Sequence, residues 1–249
     1  MLASQRKKRI LEILAREKQV LSGELSQRFA VSEDSIRRDL RELAAEGLLQ
    51  RVHGGALPAS MAIAPYEIRK NVQTSSKQVV AAKAVKLIKP GQVVIVDGGT
   101  TTTEMIGLLP KDIPFTLVTH SPGIAVSLID FPLIEVIMIG GRLFRHSVVN
   151  VGSAMIDAVS YINADLFFMG VTGIHASAGF TTGDYEEAGA KRALSRRAAE
   201  TVVMASDEKM NAASAFAIGP LSLASTVIVD SKPDDSLCNL FATLNIDML

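Results

Sequence analysis

The chain has 249 residues, of which 26 are basic and 26 acidic, so its formal net charge is zero; hydrophobic residues make up 48%. That length suits one large domain or two ordinary ones, and the apolar share excludes wholesale disorder. Cys238 is the only cysteine, which excludes an intrachain disulfide and a cysteine-built zinc cage. His53, His120, His146 and His175 lie far apart without ligand spacing, so neither a metal nor a cofactor is expected.

The N-terminal run is interrupted by charges every few residues and lacks the apolar core of a signal peptide. The uncharged stretch from Asn211 to Val229 contains Asn, Ser, Gly and Pro throughout, which makes a poor membrane span. A soluble, cytoplasmic protein is expected, with no membrane partner.

The zero charge conceals a segregation. Residues 1–56 hold 11 basic and 8 acidic residues, a net of +3, and the remainder is −3. The small-residue run Ala56-Leu57-Pro58-Ala59-Ser60-Met61-Ala62 reads as a connector. The expected division is a head over 1–57, a linker over 58–74 and a body over 75–249.

In the head, a first helix is predicted from about Ser4 to Lys18, with Ile10, Ile13 and Leu14 on one face. A second starts after Ser22 as N-cap and places Leu25 and Phe29 four apart. A third starts after Ser32, carries Ile36, Leu40 and Leu43 at i, i+4, i+7, and ends at Gly47. Only Ala30-Val31 separates the second from the third, the spacing of a helix-turn-helix. Leu48 to Ala56 then reads as a short strand and glycine turn, a small wing.

With the apolar face of the third helix turned inward, Arg38 and Arg41 point outward and Arg37 sits on the flank. Ser32 and Ser35 lie in its first turn, where free backbone N–H groups suit a phosphate. Arginines beyond them can reach guanine edges or phosphates in a major groove. Arg51 and His53 on the wing are placed for backbone or minor groove. Glu33 before Arg37 and Asp34 before Arg38 also form i,i+4 pairs, which support an exposed helix by roughly 0.2–0.5 kcal/mol each without DNA.

The run Val31-Ser32-Glu33-Asp34-Ser35-Ile36-Arg37-Arg38-Asp39-Leu40, then Gly47-Leu48-Leu49 and Arg51-Val52-His53-Gly54-Gly55-Ala56, resembles the N-terminal domain of the DeoR family of bacterial transcriptional regulators. The resemblance implies that helix 33–45 is the recognition helix and that Ser32, Ser35, Arg37 and Arg38 contact DNA.

The body alternates strands and helices. The runs Val93–Val96, Phe115–Thr119, Val136–Ile139, Leu166–Met169 and Thr226–Val229 suit buried parallel strands, with helices between them, notably over 76–88 and 185–200. An α/β domain with a mainly parallel sheet is predicted, and in such sheets ligands bind beyond the carboxyl ends of strands. After the first strand come Asp97-Gly98-Gly99-Thr100-Thr101-Thr102-Thr103 and a helix, a combination suited to phosphate oxygens. No Gly-Lys-Ser/Thr follows, so a nucleotide triphosphatase is not indicated. His120 and Ser121 follow the second strand, Gly140-Gly141-Arg142 the third, and Gly170-Val171-Thr172-Gly173 the fourth. Lys191 and Lys209 can neutralise a sugar phosphate, while Glu187 and Asp97 can accept hydroxyl hydrogen bonds.

The pieces Asp97 to Thr101, Thr119-His120-Ser121, Gly140-Gly141, Glu187-Ala188 to Lys191-Arg192 and Asp207-Glu208-Lys209 again resemble the DeoR family, in its effector-sensing domain. That domain is similar in fold to ribose-phosphate isomerases and glucosamine-phosphate deaminases. The resemblance implies an oligomeric repressor, dimer or tetramer, of a carbon-catabolism operon. It would bind double-stranded operator DNA and release it when a phosphorylated sugar or related metabolite binds. The effector set it implies is Asp97, Gly98, Gly99, Thr100, Thr101, Thr102, His120, Ser121, Gly141, Glu187, Lys191 and Lys209. The family usually has Asn where His120 stands and often an acidic residue near His175. The isomerase-like enzymes keep an acidic cluster where this chain reads Gly-Val-Thr-Gly-Ile-His, which removes the placed base of a proton abstraction. A regulator without enzymatic activity is therefore expected, the rival being a sugar-phosphate isomerase or deaminase with an accessory DNA-binding head.

Overall fold

The computed structural model describes residues 2–60, 62 and 66–249, so part of the expected linker lies outside the described residues. The head comprises α1 (Ala3–Glu17), β1 (Val20–Leu21), α2 (Ser22–Phe29), α3 (Glu33–Ala45), β2 (Leu49–Val52) and β3 (Gly55–Pro58). Its core is local: Ile10, Ile13, Leu14, Val20, Leu25, Ile36, Leu40, Leu43, Leu49 and Ala56 pack on one another. The three strands form a wing in the order β1-β3-β2. One expectation shifts in detail. Leu21, not Ser22, is the N-cap of α2, and Ser22 is buried in its first turn. Ala30 takes the left-handed conformation that turns the chain from α2 towards α3. Gly47, at φ +73°, stands just past the end of α3 as expected.

The body continues with α4 (Tyr66–Lys70), α5 (Thr74–Ala84), β4 (Val93–Val96), α6 (Thr100–Gly107), β5 (Phe115–Thr119), α7 (Pro122–Ser127), β6 (Ile134–Met138), β7 (Arg142–Phe144) and β8 (Val149–Val151). Then come α8 (Ser153–Val159), β9 (Ala164–Gly170), β10 (Gly173–His175), β11 (Gly179–Thr182), α9 (Tyr185–Ser195), β12 (Ala198–Ala205), β13 (Phe216–Gly219), β14 (Thr226–Val229), α10 (Asp235–Thr243) and β15 (Asp247–Met248). Seven strands form one sheet in the order β15-β14-β12-β9-β4-β5-β6, and all its pairings are parallel. The helix expected over 185–200 ends at Ser195, because Ala198 and Glu200 pair with Ala164 and Leu166 of β9.

Period-two alternation splits the apolar strands between two cores. Ile95, Phe167 and Val203 face one side, where Met155, Leu194 and Phe241 of α8, α9 and α10 cover them. Val94, Phe168 and Val202 face the other, under Val80, Met105 and Ile124 of α5, α6 and α7. With both faces covered, the sheet offers a ligand only its strand ends. The chain runs outward from β4 to β5 and β6, then returns to β9 on the other side of β4. That reversal opens a crevice beyond β4 and β9.

Candidate functional site

The first surface is α3. Ser32 caps it, accepting from the Ser35 amide at 3.3 Å, and the two hydroxyls lie 3.0 Å apart. Asp39 faces inward and holds Arg6 of α1 through Nε and Nη2, which locks the orientation of α3. Arg37 takes both nearby acids, Glu33 at 2.7 Å and Asp34 at 3.5 Å. Asp34 therefore does not pair with Arg38, as the i,i+4 spacing suggested. Arg38 and Arg41 are exposed and form no ion pair among the described residues, and Arg51 and His53 stand exposed on the wing.

The second surface is the crevice. It is lined by the loop Gly98–Thr102 after β4, by Gly170–Thr172 after β9 and by Glu208 and Lys209 after β12. Thr182, Glu187 and Lys191 add a side wall, and Ala62, Arg69, Val72 and Lys77 close the top. Glycine is required at two places in the loop. A Cβ on Gly98 would lie 2.1 Å from Val149, and Gly99 has φ +132°. Thr103 N donates to Gly99 O at 3.0 Å, which leaves the amides of Thr100, Thr101 and Thr102 without helical partners at the cleft.

Asp97 and His120 lie one layer beneath, fully buried, and do not line the cleft. Asp97 accepts from Gly98 N at 2.8 Å, His120 Nε2 at 2.8 Å, Gly170 N at 2.9 Å and the Lys191 ammonium. Burial pushes its carboxyl up, but Lys191 and His120 outweigh burial and hold it at about 2. His120 Nδ1 also meets Asn150 O at 2.8 Å, tying the β4 loop to β8. Ser121 caps α7 and donates to Val148 O, and Gly141 sits against Val151 and Asn150; neither lines the cleft.

Burial alone would lower the Lys191 pKa, but Asp97 and then Glu187 raise it. Glu187 accepts from Thr182 Oγ1 at 2.7 Å and lies 3.5 Å from Lys191. Lys209 donates to Thr101 Oγ1 at 3.3 Å. Burial pushes its ammonium down to about 8, against the pull of Glu208 and with the help of Lys77, Arg69 and Lys191. Burial also lowers Lys77 and Arg69. Sequence reasoning missed Arg69, Lys77, Ser147, Thr182 and Glu208 as cleft residues. Only Glu208 had a signal, its place beside Lys209 in a polar turn after a strand.

Among the described residues, hydrogen bonds join head and body around Ser60 and at His175. Pro58 O accepts from Ala213 N at 3.1 Å, Ser60 N donates to Ala213 O at 3.2 Å, and the Ser60 hydroxyl donates to Thr172 O in the cleft wall. His175 Nδ1 accepts from Ser177 N, so Nε2 donates to Lys18 O at the end of α1, 3.3 Å away.

Comparison with known families bears on both surfaces. Residues 6–61 match the model described as the DeoR-like helix-turn-helix domain, and residues 72–231 match the DeoR C terminal sensor domain. The chain belongs to the DeoR family of transcriptional regulators. It is 35% identical to the HTH-type transcriptional regulator GlpR of Haloferax volcanii, across 94% of this chain and 92% of that one. It is 29% identical to the glycerol-3-phosphate regulon repressor of Escherichia coli, across 98% of both chains. Among solved structures, ribose 5-phosphate isomerase A of Methanocaldococcus jannaschii aligns with a TM-score of 0.41 at 18% identity, across 54% of this chain and 53% of that one. In this DeoR-family chain the helix-turn-helix match contains α3, and the sensor match contains the cleft loops from Gly98 to Lys209. No helix among the described residues is long and apolar enough to cross a membrane.

Proposed function

We propose that the chain represses a sugar or related carbon-catabolism operon by binding operator DNA through α3 and the wing, and releases it when a phosphorylated metabolite enters the cleft. Arg38, Arg41 and the serine-capped start of α3 are the anchoring and reading groups, with Arg37, Arg51 and His53 at the margin. Thr100, Thr101, Thr102 and Lys209 receive the phosphate, and Glu187 and Lys191 form the polar side wall. Asp97 and His120 hold that wall from below.

One observation carries the coupling of ligand to DNA. Ala62, Arg69 and Val72, from the segment that leaves the wing, line the same cleft as the strand ends. The cavity volume is only about 40 Å³, room for a few waters at about 10–15 Å³ each. A metabolite of sugar-phosphate size has to spread the walls, and one of those walls leads to the head. A ligand that favours the spread arrangement disfavours the head placement seen here.

The enzyme reading is disfavoured by Asp97. Four donors already occupy its two oxygens, so it is not available as a general base.

Two heads on a dimer or tetramer would read two half-sites, so a repeated or palindromic operator in cytoplasmic DNA is expected, and light scattering gives the subunit number. The deciding experiment is footprinting upstream of the chain's own gene and its neighbours, with and without a panel of sugar phosphates. A ligand at 100 times its Kd should also stabilise the protein by about 2.7 kcal/mol in a thermal-shift assay. Unchanged salt-sensitive DNA binding in an Arg37→Ala/Arg38→Ala variant would remove α3 from the interface.

A further inference from the structure

Among the described residues that line the cleft, Glu208 is the one whose side chain keeps a buried polar atom without a hydrogen-bond partner. It follows β12 beside Lys209 and lines the cleft. Its Oε1 accepts from the Ser206 hydroxyl at 2.7 Å, which fixes the carboxylate. Its Oε2 is buried and has no hydrogen-bond partner. A carboxylate oxygen can only accept, so the missing partner is a donor. Lys77 and Lys209 both feel the charge of Glu208, but neither donates to Oε2: Lys77 Nζ is directed to Arg69 O and Lys209 Nζ to Thr101. The other cleft carboxylate, Glu187, is already engaged by Thr182 and Lys191.

The charge balance narrows the ligand further. Arg69, Lys77, Lys191 and Lys209 face Asp97, Glu187 and Glu208 in and beneath the cleft, and Glu104 also acts on Lys77, so cations and carboxylates nearly balance. That near-balance leaves one phosphate to be held by the free loop amides as well as by Lys209. A second anionic group would meet Glu208 without a counter-charge.

We infer that Glu208 sets effector specificity: it selects a small phosphate monoester bearing a hydroxyl donor near the phosphate, and it rejects phosphates that carry a second anion. The inference rests on the cleft being the effector site. In the occupied cleft the phosphate lies against the amides of Thr100–Thr102 and Lys209, and a hydroxyl of the same ligand donates to Glu208 Oε2.

Three probes of nearly equal size separate the terms: propyl phosphate, glycerol 3-phosphate and 3-phosphoglycerate. The first has no donor on its chain, the second has hydroxyls, and the third replaces an alcohol with a carboxylate. Calorimetric titration of the full-length protein should rank glycerol 3-phosphate first, about tenfold or more ahead of each of the others, the scale of one charged hydrogen bond. Glu208→Gln should bring 3-phosphoglycerate level with glycerol 3-phosphate, because the amide can donate to the added carboxylate. Propyl phosphate should stay within about twofold of its parent value. Equal binding of all three probes to the parent protein overturns the inference and leaves the cleft as an anion site. An unchanged ranking in Glu208→Gln overturns it as well. If Glu208→Gln does not fold, Glu208→Asp serves, with the expected outcome that pulling the carboxylate back erases the lead of glycerol 3-phosphate. Should neither the probes nor inorganic phosphate bind the parent protein, the effector-site reading fails, and this inference fails with it.

Discussion

Asp97 and Lys191 are buried because of each other. The lysine is buried in the cleft wall with two carboxylates for company, and Asp97 is the nearer in charge and contact. Replacing Asp97 with Ala leaves that ammonium buried and poorly compensated, so the midpoint of urea unfolding should fall by the equivalent of about 3–5 kcal/mol. Lys209 gives a pH signature. Its pKa sits near 8, below the ordinary lysine range, because of burial. Between that value and the ordinary range the unfolded chain binds the extra proton, so this group makes folding stability rise with pH there. Anion binding has the opposite sign, since a phosphate prefers the protonated ammonium. Affinity for a phosphate monoester should therefore be full below about 8 and fall as pH rises through it, with proton uptake on binding measurable in buffers of different ionisation enthalpy. Lys209→Met should flatten that profile, while DNA affinity without effector stays at the parent level. Lys209 and the threonine loop were legible in the sequence because strand-end loops follow from the apolar runs. Arg69 and Lys77 were not, because they reach the cleft from a segment whose own pattern points nowhere.

At the scale of elements, α3 shows why the head could be read so fully. Its apolar period, its serine cap and its trailing glycine all agree, and its packing partners lie within the same few dozen residues. Ser32→Ala removes the cap and should cost about 1 kcal/mol of head stability by thermal unfolding. The pairing of Arg37 with both acids was less legible, because side-chain spacing permits Asp34 to reach either arginine. It has a measurable consequence. Arg38→Ala should lower the salt dependence of DNA binding by about one unit of slope, and Glu33→Gln, which loosens Arg37, should strengthen non-specific binding. The segment after Ser195 misled the sequence reading for a physical reason. Ala-rich, charged residues favour a helix locally, but pairing of Ala198 and Glu200 with β9 places the start of β12 in the sheet, and tertiary pairing wins. The small sheet β10-β11-β13 was also missed, because its strands are short, and β10 and β11 are buried throughout and show no alternation.

For the whole molecule, the junction between head and body is built on hydrogen bonds. It includes the Ser60–Thr172 bond, the Pro58 and Ser60 contacts with Ala213, and the His175–Lys18 bond. Thr172 is a point where the junction touches the cleft, as Ala62 is. Ser60→Ala should leave effector affinity near the parent value but shrink the ratio of DNA affinities measured without and with effector, the quantity that defines coupling. The self-contained head core has a consequence during synthesis. Arg6 meets Asp39 across a sequence separation of 33, whereas Lys191 meets Asp97 across 94 and Lys209 meets Thr101 across 108. A growing chain can thus complete its reading head long before the ribosome has delivered the lysines that close the cleft. Premature stop codons between the wing and Lys191 should yield fragments that fold and touch DNA but have no means of being told to let go.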